Sequence, residues 1–187
     1  MAEEFWVFGY GSLMWNPGFD YVDRIGAELQ GYQRSFCLAS VRYRGTRDFP
    51  GLVLALEPMQ GTCCRGIAFR VAPERAGEAL DYLREREMGT ASYFERRLPL
   101  TLLESGKRVT AVCYVVDTLH AQYRGHLCDE DRAQIIAKAH GPAGSNREYL
   151  YKTIEHLEAL KVEEPAIQTI ADRVVAIAGD DRPSLNL

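Results

Sequence analysis

The chain has 187 residues, 47% of them hydrophobic, which is within the usual size of one domain and enough to bury a core. Its 26% charged residues carry a formal net charge of -4, with no excess of Lys or Arg to neutralise a phosphate backbone, so nucleic acid is not expected as a partner. The start Met1-Ala2-Glu3-Glu4 lacks a secretory signal's features, no segment approaches ~18 uninterrupted apolar residues, and the five cysteines are odd in number, so we expect a cytoplasmic protein with reduced thiols and no membrane association.

In chain order, Phe5 to Tyr10 is aromatic and apolar and runs into a glycine turn, the pattern of a buried strand. Leu29 to Leu38 mixes apolar and polar residues as a curved barrel strand would. Leu52 to Leu56, after Pro50-Gly51, and Gly66 to Val71 are expected as two further short strands. Pro73 to about Arg86 predicts a helix, with Pro early and Ala76, Ala79, Leu80 and Leu83 at helical spacing. Tyr93 to Leu103 predicts another barrel strand, and Val109 to Val116 (VTAVCYVV) is the clearest buried strand of all.

Beyond Val116 the pattern turns helical. Asp129 is expected to cap a segment containing Ala133, Ile135, Ile136 and Ala139; Ser145 or Asn146 opens a second helix ending near Leu160; a third runs from Pro165 to Ala178. The tail 179–187 is expected to be flexible. Strands first and helices last predict an α+β domain over residues 1–178 with an antiparallel or mixed sheet, not a doubly wound βαβ array.

Two places carry chemistry. The string FGYGSLMWNP, Phe8 to Pro17, sets Gly9 and Gly11 around Tyr10, so the backbone can approach a ligand closely and point successive N–H groups at an anion. A strand that merely turns would look similar. Phosphate-loop patterns fail, because Met14 stands where a third Rossmann glycine would be and no G-K-[ST] follows. Ser12 is not centred in G-x-S-x-G, so a nucleophile elbow is not supported.

The second place is Glu87. The apolar stripe of the Pro73 helix advances through Ala76, Leu80 and Leu83, and the next position on that face is Glu87, whereas Glu85 falls on the opposite side. A carboxylate at the last turn faces the negative end of the helix dipole, and partial burial disfavours its charge further, so its pKa should rise toward the range of a general acid/base. The plainer alternative is a surface ion pair with Arg84, Arg86, Arg96 or Arg97. Cys113 and the pair Cys63-Cys64 sit in strand contexts where cysteine acts as a small hydrophobe, and His120, His126, Cys128 and His140 show no metal-ligand spacing. No metal is expected.

Together, VFGYGSLMWNP (Val7 to Pro17), RGT with PGLVLAL downstream (Arg44 to Leu56), GIAFRV at Gly66, Arg86-Glu87-Met88 followed by Tyr93, and GPAGSNREYL (Gly141 to Leu150) resemble the γ-glutamylcyclotransferase superfamily, and within it the ChaC family of glutathione-specific enzymes. The match covers most of the chain. It implies a small twisted β-barrel with flanking helices, binding of the γ-glutamyl moiety by Gly9, Tyr10, Gly11, Ser12, Leu13 and Met14, and Glu87 as the catalytic carboxylate. The implied substrate is the small-molecule peptide glutathione, cleaved to 5-oxoproline and Cys-Gly, with no cofactor. Where many animal members read R-E-K-G-G-Y, this chain reads REMGTASY, similar to a longer bacterial form.

The alternatives are a cyclotransferase for another γ-glutamyl amino acid or γ-glutamylamine, and a non-catalytic regulator linked to cation transport. Retention of Glu87 on an inward face favours an enzyme. No motif specifies an oligomeric state.

Overall fold

In the computed structural model, which describes residues 4–89 and 91–179, the chain divides into two compact units. The first contains the residues through Arg34 together with Leu56–His120; the second contains Ser35–Ala55 and the residues from Ala121 onward.

The first unit is organised by a barrel. Its strands are β1 (Phe5–Gly9), β2 (Asp23–Ser40), β3 (Gly51–Val71), β4 (Tyr93–Leu102) and β5 (Arg108–Val116), closed in the order β1-β3-β2-β4-β5. β1 is the strand that closes it: it runs antiparallel to the end of β3, from Phe5 opposite Val71 to Gly9 opposite Ile67, and parallel to β5, with Trp6 opposite Ala111. β4 and β5 form a long antiparallel ladder from Tyr93 opposite Val116 to Thr101 opposite Arg108. Alternation fills the interior, because Trp6 and Phe8 from β1 and Tyr10 just beyond it meet Ala111, Cys113 and Val115 from β5 in one buried cluster. The sheet contains both parallel and antiparallel pairs, as the α+β expectation required.

The segments Leu52 to Leu56 and Gly66 to Val71, expected as two strands, are the two ends of the single strand β3. The stretch between them reads as a break in sequence because Pro58 to Gly61 is exposed and Gly61 takes φ 81°. β2 likewise extends beyond the expected Leu29 to Leu38. A 3₁₀ turn at Pro73–Arg75 leads into α1 (Ala76–Glu87), whose Ala79 and Leu83 are buried. The helix ends as Met88 donates its N–H to the Arg84 carbonyl.

The second unit holds the end of β2, the start of β3, and α2 (Asp129–Lys138), the short strands β6 (His140–Gly141) and β7 (Gly144–Ser145), α3 (Asn146–Ala159) and α4 (Pro165–Ala178). Asp129 does not cap α2: Cys128 occupies the cap position and Asp129 is the first helical residue, where its charge still faces the positive end of the helix dipole. Ser145, one of the two expected openers, caps α3, its Oγ accepting the Glu148 N–H at 3.1 Å. Gly179 closes α4 in the left-handed conformation, φ 67°. The rest of the expected flexible tail, 180–187, lies outside the described residues.

Three of the sequence motifs meet in this unit. Asn146, fully buried, accepts the Leu52 N–H at Oδ1 (2.6 Å) and donates Nδ2 to the Leu52 carbonyl (2.7 Å). A Cβ at Gly141 would overlap the carbonyl of Tyr43 and the backbone of Gly45, so only glycine fits where these segments cross. Arg44 binds Glu148 at 3.5 Å. The strings RGT, PGLVLAL and GPAGSN are therefore tied to one another by backbone contact. Among the described residues, no helix is long and apolar enough to cross a membrane.

Candidate active site

The predicted loop begins where β1 ends. Gly9 is its last residue; the carbonyl of Gly9 is packed so closely by Gly66 of β3 that a Cβ there would overlap it. Tyr10 turns its ring into the barrel cluster and donates its hydroxyl to the Tyr114 carbonyl at 2.9 Å. Ser12–Met14 then forms a 3₁₀ turn, with Met14 donating its N–H to the Gly11 carbonyl at 2.9 Å. Leu13 and Met14 are core side chains, so what they present to a ligand is main chain. Ser12 is half-buried.

Arg34 anchors the loop from beneath. This residue, only 5% exposed, donates Nη1 to the Tyr10 carbonyl at 2.7 Å and approaches Met14 Sδ at 3.5 Å. A buried guanidinium under an apolar turn is a costly element retained for the hydrogen bonds it makes.

Glu87 is the last residue of α1, and its side chain is 17% exposed. Glu85 is exposed, so the two carboxylates fall on opposite sides as the helical spacing predicted. Burial pushes the Glu87 carboxyl above its ordinary value of 4.5, and the neighbouring Arg86 guanidinium opposes that rise. The ion pair anticipated as the plainer alternative does exist, Arg86 Nε to Glu87 Oε1 at 3.2 Å, but the pair is part-buried and burial outweighs it.

Arg86 also reaches the loop. Its Nη2 donates to Ser12 Oγ at 2.9 Å, and its Nη1 to the Asn16 carbonyl at 2.7 Å and the Tyr82 hydroxyl at 3.2 Å. Ser12 and Glu87, 75 positions apart, are thus partners of one guanidinium. Tyr114 of β5 faces the same region: burial first, then the carboxylates of Glu95 and Glu87, hold its phenol above the ordinary value of 10. Arg84 fixes Glu95 through two bonds of 2.8 and 2.9 Å, joining α1 to β4.

Arg34 and Tyr114 were not singled out by sequence, and Arg86 was named only among four possible ion-pair partners of Glu87 and within the string Arg86-Glu87-Met88. A signal existed for Arg34, an arginine inside the strand-forming stretch QRSFCLAS. Among the described residues, no group of three His, Cys, Asp or Glu side chains gathers in a way that could hold a metal ion.

A family model described as ChaC-like protein matches residues 5–176 of the chain. The chain belongs to the ChaC-like family. Among its relatives, the glutathione-specific γ-glutamylcyclotransferase of Escherichia coli is 33% identical over 178 residues, covering 95% of this chain and 76% of the relative. γ-Glutamylcyclotransferase 2-1 of Arabidopsis thaliana is 36% identical over 178 residues, covering 90% of this chain and 81% of the relative. The crystal structure of the yeast γ-glutamyl cyclotransferase specific to glutathione superposes with a TM-score of 0.83 at 25% identity, over 94% of this chain and all of the yeast chain (100%). The closed barrel with its helices is thus a ChaC-like fold.

Proposed function

We propose that this ChaC-like chain is a γ-glutamylcyclotransferase that cleaves glutathione to 5-oxoproline and Cys-Gly, with Glu87 as its acid/base and the Gly9 to Met14 loop as the seat of the γ-glutamyl group. The relatives of 33% and 36% identity named above support the reaction class. The observation that carries the residue assignment is the half-buried Glu87 carboxyl, raised above its ordinary range and tied by one arginine to the glycine loop. A binding or regulatory module has no use for a carboxylate held that way.

A γ-glutamyl peptide contains its own nucleophile. Its α-amine, largely protonated at neutral pH because such groups have reference pKa values of about 8, must lose a proton before attacking the γ-carbonyl. Glu87 takes that proton. The amine closes a five-membered ring, the carbonyl oxygen becomes an oxyanion, and the tetrahedral intermediate collapses as the C–N bond to Cys-Gly breaks. Glu87 returns its proton to the departing amine, and the second proton shed by the ring nitrogen as the lactam forms passes to that amine as well, so Cys-Gly leaves as its ammonium, the carboxylate ends as it began and no water is consumed. Main-chain N–H groups of the loop supply donors for the substrate α-carboxylate or the oxyanion. Holding the substrate in its cyclising conformer contributes on the order of 7 kcal/mol.

Incubation of the purified protein with glutathione, followed by mass spectrometry, should yield equimolar 5-oxoproline and Cys-Gly. Turnover of γ-glutamyl amino acids or γ-glutamylamines with glutathione left intact would replace glutathione as the substrate; no product from any of them would sink the enzyme assignment. Turnover should also survive EDTA and thiol alkylation. The exposed thiols are Cys63 and Cys128, and burial together with the Glu28 carboxylate raises the Cys63 thiol, the opposite of an activated nucleophile. Loss of activity on chelation, restored by zinc, would refute this expectation.

A further inference from the structure

We propose that Arg86 is a positioning residue that couples the Glu87 carboxylate to the glycine loop, holding base and substrate seat in one rigid arrangement. The inference rests on the assignment of Glu87 and of the loop made above, and adds to it the group that registers the two.

The geometry is that of a three-way clamp. Each guanidinium nitrogen of Arg86 has a separate duty: Nε lies 3.2 Å from Glu87 Oε1, Nη2 donates to Ser12 Oγ at 2.9 Å, and Nη1 donates to the Asn16 carbonyl at 2.7 Å. Nη1 also meets the Tyr82 hydroxyl one helical turn back, at 3.2 Å, and this bond braces the side chain against its own helix. The side chain is 21% exposed, so these bonds are partly shielded from water. Only a planar fork with fixed donor directions serves three partners at once; an ammonium is a point charge on a flexible stem. Gly18, just beyond the clamped stretch, has φ 75° and would overlap the Tyr82 hydroxyl if it carried a Cβ, so the chain is also pressed against α1 at this point.

The charge of Arg86 acts in the same place. Arg86 is the charged group that opposes the effect of burial on Glu87, while from β5 the group that faces Glu87 is the Tyr114 phenol, which burial, Glu95 and Glu87 keep protonated. A clamp that also stabilises the carboxylate keeps Glu87 ionised, in the form that accepts a proton, at a lower pH than burial alone would allow.

Arg86→Gln and Arg86→Lys separate the two contributions. In Arg86→Gln, kcat for 5-oxoproline formation from glutathione should fall more than tenfold, and the acidic limb of kcat/KM should move up by roughly one pH unit or more, the effect of losing an opposite charge within ion-pair distance. In Arg86→Lys the limb should stay within about 0.3 units of wild type while kcat still falls severalfold, because the charge is kept and the fork is lost. A titration of the Glu87 carboxyl by ¹³C NMR should show the same displacement without relying on turnover. A folded Arg86→Gln protein with an unmoved limb, or a folded Arg86→Lys protein with wild-type kcat, overturns the proposal. The second arm stands if the Gln variant fails to fold. An inactive Glu87→Gln protein beside an unmoved Arg86→Gln limb refutes the clamp alone, whereas a fully active Glu87→Gln protein removes the assignment beneath it.

Discussion

Glu87→Gln is expected to lower kcat for glutathione cleavage by about 1,000-fold or more while the substrate still binds, since the amide keeps the carboxyl's size but can neither accept the amine proton nor return it. That loss corresponds to roughly 4 kcal/mol of barrier. Because burial holds the Glu87 carboxyl above 4.5, the wild-type enzyme should lose activity on the acid side at a pH above that value, as the carboxylate takes up a proton and ceases to be a base. This limb should be missing from the residual activity of the variant. Glu85→Gln is the matched control, and its exposed position predicts a change within about threefold, less than 1 kcal/mol. Equal losses in the two variants, or a large loss at Glu85 alone, would assign the acid/base to the wrong carboxylate.

Asn146→Asp and Asn146→Ala are expected to cause the largest loss of stability. The Asn146 amide satisfies both backbone groups of Leu52 in a fully buried setting. Alanine leaves a buried N–H and a buried carbonyl without their partner, costing about 2–5 kcal/mol against a typical total of 5–15. Aspartate keeps an acceptor for the N–H but faces the Leu52 carbonyl with a second oxygen and a buried charge, so it should be no milder. Thermal unfolding should shift down by roughly 5–15 °C for a chain of this size. A midpoint within about 2 °C of wild type would show that Asn146 is not holding the start of β3.

The helical stripe of α1 and the glycine turn were legible because each follows a local rule: a 3.6-residue period places Glu87 beneath Leu83, and paired glycines mark a backbone that bends. Five barrel strands were legible as apolar runs, but the continuity of β3 was not, since exposed Pro58 to Gly61 breaks the hydrophobic pattern without breaking the strand. Arg34 escaped for a related reason. Along β2 the buried side chains fall at Ala27 and Leu29, next at Arg34 and Phe36, and then at every position to Ser40, so the odd series turns even across Gly31, where φ is 79°, before burial becomes continuous. A period-2 count started at Ala27 therefore turns Arg34 outward, which hides the one signal it had, an arginine inside a strand-forming stretch. The ion pair of Arg86 with Glu87 was among the expected alternatives, but its bonds to the loop were out of reach because Ser12 and Asn16 lie 70 or more positions away.

The bond from Arg34 to the Tyr10 carbonyl governs more than the depth of the turn. Across a trans peptide the carbonyl and the following N–H point in opposite directions, and no cis bond occurs among the described residues. With the oxygen of Tyr10 drawn down onto a buried cation, the N–H of Gly11 is aimed the other way. Flipping that peptide would strip the guanidinium of a charge-assisted acceptor, a cost of about 1.5–3 kcal/mol that leaves fewer than one molecule in ten in the reversed state. In the role proposed for the loop, an anion arriving there would meet a donor whose compass bearing was set when the chain folded.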